Sequence, residues 1–198
     1  MNTTSRLKNW EISLLLALCI TLLAGTWASA KQTELSSNLV RLHVIAVSDD
    51  ETEQAIKLRV RDAVLAYLSP SLESAKGADA ARAIIASRLS GIETAAETAA
   101  QGRPVRVTLS EEYYPTREYE TFTLPAGKYE SLRVILGQGQ GHNWWCVVFP
   151  PLCLSAAGKT EIAQTMDNED YGIVTESNGY VLKFRLLELW GELMGQIH

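Results

Sequence analysis

Cys146 and Cys153, with His142 four residues before the first of them, come closest to residues that could carry out a reaction. A thiol beside an imidazole is a nucleophile pair, and positions four apart on a strand share a face, so His142, or His43 folded close, could serve Cys146. The flanks oppose this. Trp144-Trp145 precede Cys146 and Val147-Val148-Phe149 follow it, an apolar setting that raises a thiol pKa. The other use of the two cysteines is a disulfide, with Pro150-Pro151 turning the chain back and closure of the short loop adding roughly 2 to 3 kcal/mol. Two buried free thiols at a strand end are the alternative to that pairing.

Other apparent motifs fail on their spacing. Gly158-Lys159-Thr160 ends like a phosphate loop, but the glycine required five residues earlier is Cys153. Gly137-x-Gly139-x-Gly141 has no helix behind it to hold a pyrophosphate and reads as a turn between strands. Outside the N-terminal segment the histidines are His43, His142 and His198, with no pair at ligand spacing, and Asp49-Asp50-Glu51 suits a helix start better than a cation. No metal and no cofactor is expected. Aromatic residues are concentrated at Tyr113-Tyr114-Pro115-Thr116-Arg117-Glu118-Tyr119 and at Trp144-Trp145. Adjacent tryptophans on a strand face opposite sides of a sheet, so one of them needs a second layer, a loop or another molecule. Core packing and a partner-binding surface at this end of the sheet both remain open, and aromatics beside an arginine are common interface anchors.

The elements that position these residues are legible from the N-terminus. Arg6 and Lys8, an apolar run from Ile12 to Ala24 and a small-x-small site at Ala28-Ser29-Ala30 mark an export signal cleaved after Ala30, with an uncleaved membrane anchor as the alternative. The apolar run alone is shorter than the roughly 20 residues of a spanning helix. Cys19 follows Leu18 inside the run, which does not suit lipid attachment. Residues 31–198 then form one domain. With Arg6, Lys8 and Glu11 removed, 16 basic and 22 acidic residues remain, and that acidity disfavours nucleic acid or anionic lipid as the main partner.

Leu39 to Val47 reads as a strand with Leu42, Val44 and Ile45 buried, and Ser48 to Glu51 as a capping box. A helix follows with Ile56, Val60, Ala63, Val64, Tyr67 and Leu68 inward and ends at Ser69-Pro70. A second helix occupies 79–100. Strands are expected at Pro104 to Ser110, Glu118 to Leu124, Lys128 to Leu136 and Trp144 to Phe149, and a closing helix at Tyr180 to Met194. This order implies an α+β fold, a largely antiparallel sheet with helices packed on it.

Ordered motifs carry a resemblance to a known family. Leu42-His43-Val44-Ile45-Ala46 with Ser48-Asp49, then Lys57-Leu58-Arg59-Val60-Arg61-Asp62-Ala63-Val64, resemble the opening of the stage II sporulation protein R family. Tyr114-Pro115-Thr116-Arg117, Leu124-Pro125-Ala126-Gly127, and Gly141 to Cys146 through Phe149-Pro150-Pro151-Leu152-Cys153 continue it in order, over roughly residues 39–153. The helix at Phe184 to Trp190 is also similar. Val47, where the family often has Asn, and the Ala-rich stretch at 79–100 depart from the pattern.

The resemblance implies an intercellular signal of endospore formation. Such a protein is made in the forespore and exported into the space between forespore and mother cell. There it activates a membrane-embedded aspartic peptidase of the mother-cell septal membrane, which processes pro-sigma-E. It implies no enzyme activity of its own. The residues expected to meet the peptidase and favour its active, dimeric state are Tyr114, Arg117, His142, Asn143 and Trp144. Residues 1–30 would touch the membrane if uncleaved. The competing class is an exported thiol hydrolase acting on peptide or wall material through Cys146.

Overall fold

A computed structural model describes residues 8–119 and 122–153. The chain begins with one unbroken helix, α1 (Asn9–Ser37). It is apolar and long enough to cross a membrane, about 43 Å at 1.5 Å per residue. Its tryptophans Trp10 and Trp27 and its leucines up to Leu23 are exposed. This fits a signal or anchor segment, and the helix outlasts the thirteen-residue apolar run because Lys31–Ser37 continue it into the folded domain, where Leu35 is buried.

Strand β1 (Val40–Ile45) lies in the middle of a four-stranded sheet with β2 (Val105–Tyr114), β5 (Gly127–Leu136) and β6 (Asn143–Phe149), in the order β2-β5-β1-β6. Helices α2 (Glu51–Leu72), α3 (Ala78–Ser87) and α4 (Leu89–Ala99) cover one face. The fold is α+β and a single domain, and the sheet is mixed. β5 runs antiparallel to β2, and β6 antiparallel to β1, whereas β1 and β5 are parallel. The helices between β1 and β2 supply the long crossover that brings the later β5 alongside β1 in the same direction.

Several boundaries differ from those expected, each for a local reason. No capping box forms at Ser48 to Glu51. The N-cap is Asp50, and Ser48 lies too early to reach the third helical N–H, so its hydroxyl donates to Asp50 Oδ2 instead. α2 runs through Pro70 to Leu72, because buried Leu68 and Leu72 hold a last turn that needs few further backbone bonds. The stretch at 79–100 is two helices, broken at Arg88, whose φ of −115° and ψ of 9° leave the helical region. β2 extends four residues past Ser110 and pairs with β5 as far as Tyr114↔Gly127. The strand expected over Glu118 to Leu124 is instead a small hairpin of β3 (Arg117–Glu118) and β4 (Thr123–Leu124). The expected helix at Tyr180 to Met194 lies outside the described residues.

Strand alternation divides the core in two. Leu42, Val44, Leu132, Val134, Cys146 and Val148 face α2–α4, together with Ile56, Val60, Val64, Ile85 and Ile92. The other face carries Tyr114, Tyr129 and Val147, roofed by Leu35 and Leu39 at the end of α1, by Phe122 and Leu124, and by Leu152. Trp144 and Trp145 accordingly point to opposite faces, and each finds an arginine from this chain: Arg61 of α2 lies 4.4 Å from the Trp144 ring, and Arg117 lies 3.7 Å from the Trp145 ring.

Candidate functional site

A surface cleft opens at the end of the sheet where β1 leaves for α2, β6 begins, and the Arg117 hairpin folds over. It encloses about 390 Å³ and is lined by Asp49, Arg117, Gln140, Gly141, His142, Asn143 and Trp145. The wall formed by 140–143 is pinned to the β1–α2 junction. Gly141 N–H donates to Ala46 O at 3.0 Å, and His142 N–H donates to Asp49 Oδ1 at 2.6 Å. The His142 ring also approaches Asp49, with Nδ1 2.6 Å from Oδ1. Beneath, Lys57 Nζ donates to His142 O at 3.0 Å and to Gln54 Oε1, and Gln54 Nε2 donates to Ser48 O at 2.8 Å. Burial pulls the Lys57 pKa down, and nearby Asp49 partly offsets this.

Glycine is required at 141. A Cβ there would sit 2.2 Å from Ser48 O, 2.5 Å from Ser48 C and 2.9 Å from Ala46 Cβ, so the turn touches backbone that cannot swing aside.

Behind the opposite wall lies a buried polar and aromatic layer. His43 Nδ1 donates to Glu112 at 2.9 Å, Ser131 Oγ donates to Glu112 at 2.9 Å, and Arg133 Nε is 3.3 Å from it. Ser131 spends its one proton on Glu112, so the 2.6 Å contact between Tyr114 and Ser131 has the phenol donating. Burial raises the Glu112 pKa, but the His43 bond and charge, with Arg133 and Ser131, outweigh it and leave the carboxyl below its ordinary range. Arg41, fully buried, lies 3.9 Å from the Tyr114 ring and 5.1 Å from the Tyr129 ring, and its Nη2 donates to Tyr119 Oη at 2.6 Å. Desolvation raises the pKa of Tyr114, Tyr119 and Tyr129, so all three remain neutral phenols.

Arg117, His142 and Asn143 thus meet at one cleft. Tyr114 does not join them: it is 1% exposed and serves the core as a ring platform for Arg41. Trp144 is on the helix-facing side, packed against the core with Arg61 over its ring. The residue in its expected place is Trp145, which lines the cleft. Strand parity could have indicated this, because Trp145 and His43 pair across β1 and β6 on the face that also receives Arg117. Asp49 and Gln140 also line the cleft, and nothing in their sequence positions, a helix start and a glycine-rich turn, marks them for it.

Cys146 and Cys153 are joined by a disulfide with Cα atoms 5.3 Å apart, and Cys146 is 5% exposed. A sulfur in that state offers no thiolate to a substrate. Among the described residues no group of histidine, cysteine and carboxylate side chains could hold a metal ion.

A family model described as Stage II sporulation protein R (spore_II_R) matches residues 36–159, a span that contains every residue of the cleft. The stage II sporulation protein R of Bacillus subtilis (strain 168) is 31% identical over 135 residues, covering 66% of this chain and 60% of the relative's own length. No solved structure matches the chain.

Proposed function

Because this chain belongs to the stage II sporulation protein R family, we propose that it is an exported signal of endospore formation. It crosses the forespore membrane by α1, enters the space between forespore and mother cell, and activates a membrane-embedded aspartic peptidase that processes pro-sigma-E. It acts as a ligand and performs no catalysis itself. The observation that carries this reading is the cleft. Its polar and aromatic groups face solvent from a rigid sheet end, whereas the cysteine of the thiol-hydrolase alternative is buried in a disulfide.

An activator must bind the active state of its target more tightly than the inactive one. Moving a 1:99 equilibrium to 99:1 takes about 5.5 kcal/mol of differential affinity. A few anchors such as Arg117 on Trp145, ringed by His142 and Asn143, can provide it within an interface of ordinary size.

The test is genetic. Sporulating cells that lack this chain accumulate uncleaved pro-sigma-E, and expressing the chain in the forespore restores cleavage only when residues 1–30 are present for export. Normal cleavage in the deleted strain refutes the reading.

A further inference from the structure

Among the described residues, no carboxylate pairs with either of two guanidinium groups, Arg117 in the cleft wall and Arg41 in the buried layer behind it. Arg41 is wholly buried, yet among the described residues its Nε and Nη1 have no hydrogen-bond partner. Arg117 Cζ lies 3.7 Å from the centre of the Trp145 ring, and its buried Nε likewise has no partner among the described residues. Among the described residues neither arginine takes part in an ion pair, although Arg61, Arg82, Arg103 and Arg133 all do. Arginine is seldom fully buried unless paired, and ring faces with one phenol bond replace only part of the lost hydration. The two positive charges also oppose one another. Positive charge therefore gathers at Arg41 and Arg117, with Asp49 the one carboxylate lining the cleft among the described residues, on a chain whose formal net charge is −5.

Geometry selects the anion. With its Cζ over the Trp145 ring and its Nε buried, Arg117 can offer the cleft its terminal Nη1–Nη2 pair, a donor fork that matches a planar carboxylate in two parallel bonds. The facing wall offers the neutral amides of Gln140 and Asn143, with Asp49 already engaged by His142. A site with one arginine and a carboxylate opposite suits a single negative charge better than a phosphate dianion.

We propose that Arg117 is the receptor for a carboxylate of the partner, an aspartate or glutamate side chain on an extracytoplasmic segment that enters the cleft and forks onto the guanidinium. The identity of that partner as the peptidase rests on the function proposed above, but the receptor itself does not.

The full chain, labelled with ¹⁵N in arginine and tryptophan and held in detergent micelles, is titrated with N-acetyl-glutamate α-amide and, separately, with N-acetyl-glutamine α-amide. The acid displaces the Arg117 Nε–H and Trp145 indole resonances and the amide does not, and added salt weakens the effect. Arg117→Gln loses the response. Arg117→Lys, which keeps the charge and loses the fork, binds roughly tenfold or more weakly, and unshifted resonances from the rest of the protein show that both variants are folded. Equal displacement by acid and amide, no displacement by either, or an equal response to inorganic phosphate overturns the proposal. Pro-sigma-E cleavage by the unaltered chain is scored separately, so failure of the receptor and failure of the activator reading give different results.

Discussion

Gly141→Ala is the substitution whose effect can be worked most directly from the geometry of the cleft. The added methyl would lie 2.2 Å from Ser48 O and 2.5 Å from Ser48 C. Ordinary contact needs nearly 3.5 Å, so turn and junction must separate by about 1 Å. That movement strains three bonds together: Gly141 N–H to Ala46 O, His142 N–H to Asp49, and Lys57 Nζ to His142 O. Overpacking costs about 1 to 3 kcal/mol, and each weakened bond adds up to about 1 kcal/mol, for a total near 3 kcal/mol. Urea unfolding followed by tryptophan fluorescence measures it, and with a slope of about 2 kcal/mol/M the midpoint falls by about 1.5 M. Gly102→Ala is the control: its φ of +81° disfavours a side chain, but nothing lies within 4 Å of the new methyl, so it costs only about 1 kcal/mol. If Gly141→Ala shifts the midpoint no more than Gly102→Ala does, the close approach of the turn to Ser48 is not what holds the cleft, and the reasoning fails.

Replacing both Cys146 and Cys153 with alanine opens an eight-residue loop and lowers stability by about 2.5 kcal/mol on loop entropy, while pro-sigma-E cleavage survives wherever the protein remains folded; loss of cleavage from a folded variant would revive the thiol hydrolase. Glu112 has its pKa held below the ordinary range, so its stabilisation is complete above the unfolded carboxyl pKa and disappears as pH falls through the folded value. Glu112→Gln therefore costs about 2 kcal/mol at neutral pH and flattens the acid side of the stability curve in urea titrations at successive pH values. Leu35 is 1% exposed although it lies in the apolar helix that fits a signal or anchor segment, so Leu35→Ala lowers stability by about 2 to 4 kcal/mol in chemical denaturation, whereas exposed Leu22→Ala leaves it unchanged.

The helix-facing half of the molecule was legible in the sequence because its signals are local. The stripe of α2 at Ile56, Val60, Val64 and Leu68 has a regular spacing, and the alternation in β2 and β5 gives their faces directly. The second face was not legible. Arg41 and His43 interrupt the apolar run of β1 as solvent-exposed residues would, yet they are 0% and 5% exposed. What covers them comes from α1 and from the hairpin at 117–124, distant in sequence, and the aromatic rings that shelter a buried cation leave no periodic trace. Tyr114 escapes sequence reading for the same reason, since an aromatic beside Arg117 in sequence looks like an interface anchor until strand parity turns it inward. The Cys146–Cys153 pairing was offered by the sequence because the two residues are seven apart, whereas the Arg117–Trp145 stack and the role of Asp49 depend on contacts between elements distant in sequence, which local pattern does not encode.

Activation from outside the cell membrane can be read by co-expressing this chain, its candidate peptidase and pro-sigma-E in cells that do not sporulate, with the full chain compared against a chain that begins at Lys31. Cleavage is expected with the full, exported chain and none with the chain retained in the cytoplasm. Absence of cleavage with an exported and folded full chain, or equal cleavage with the retained one, would contradict it.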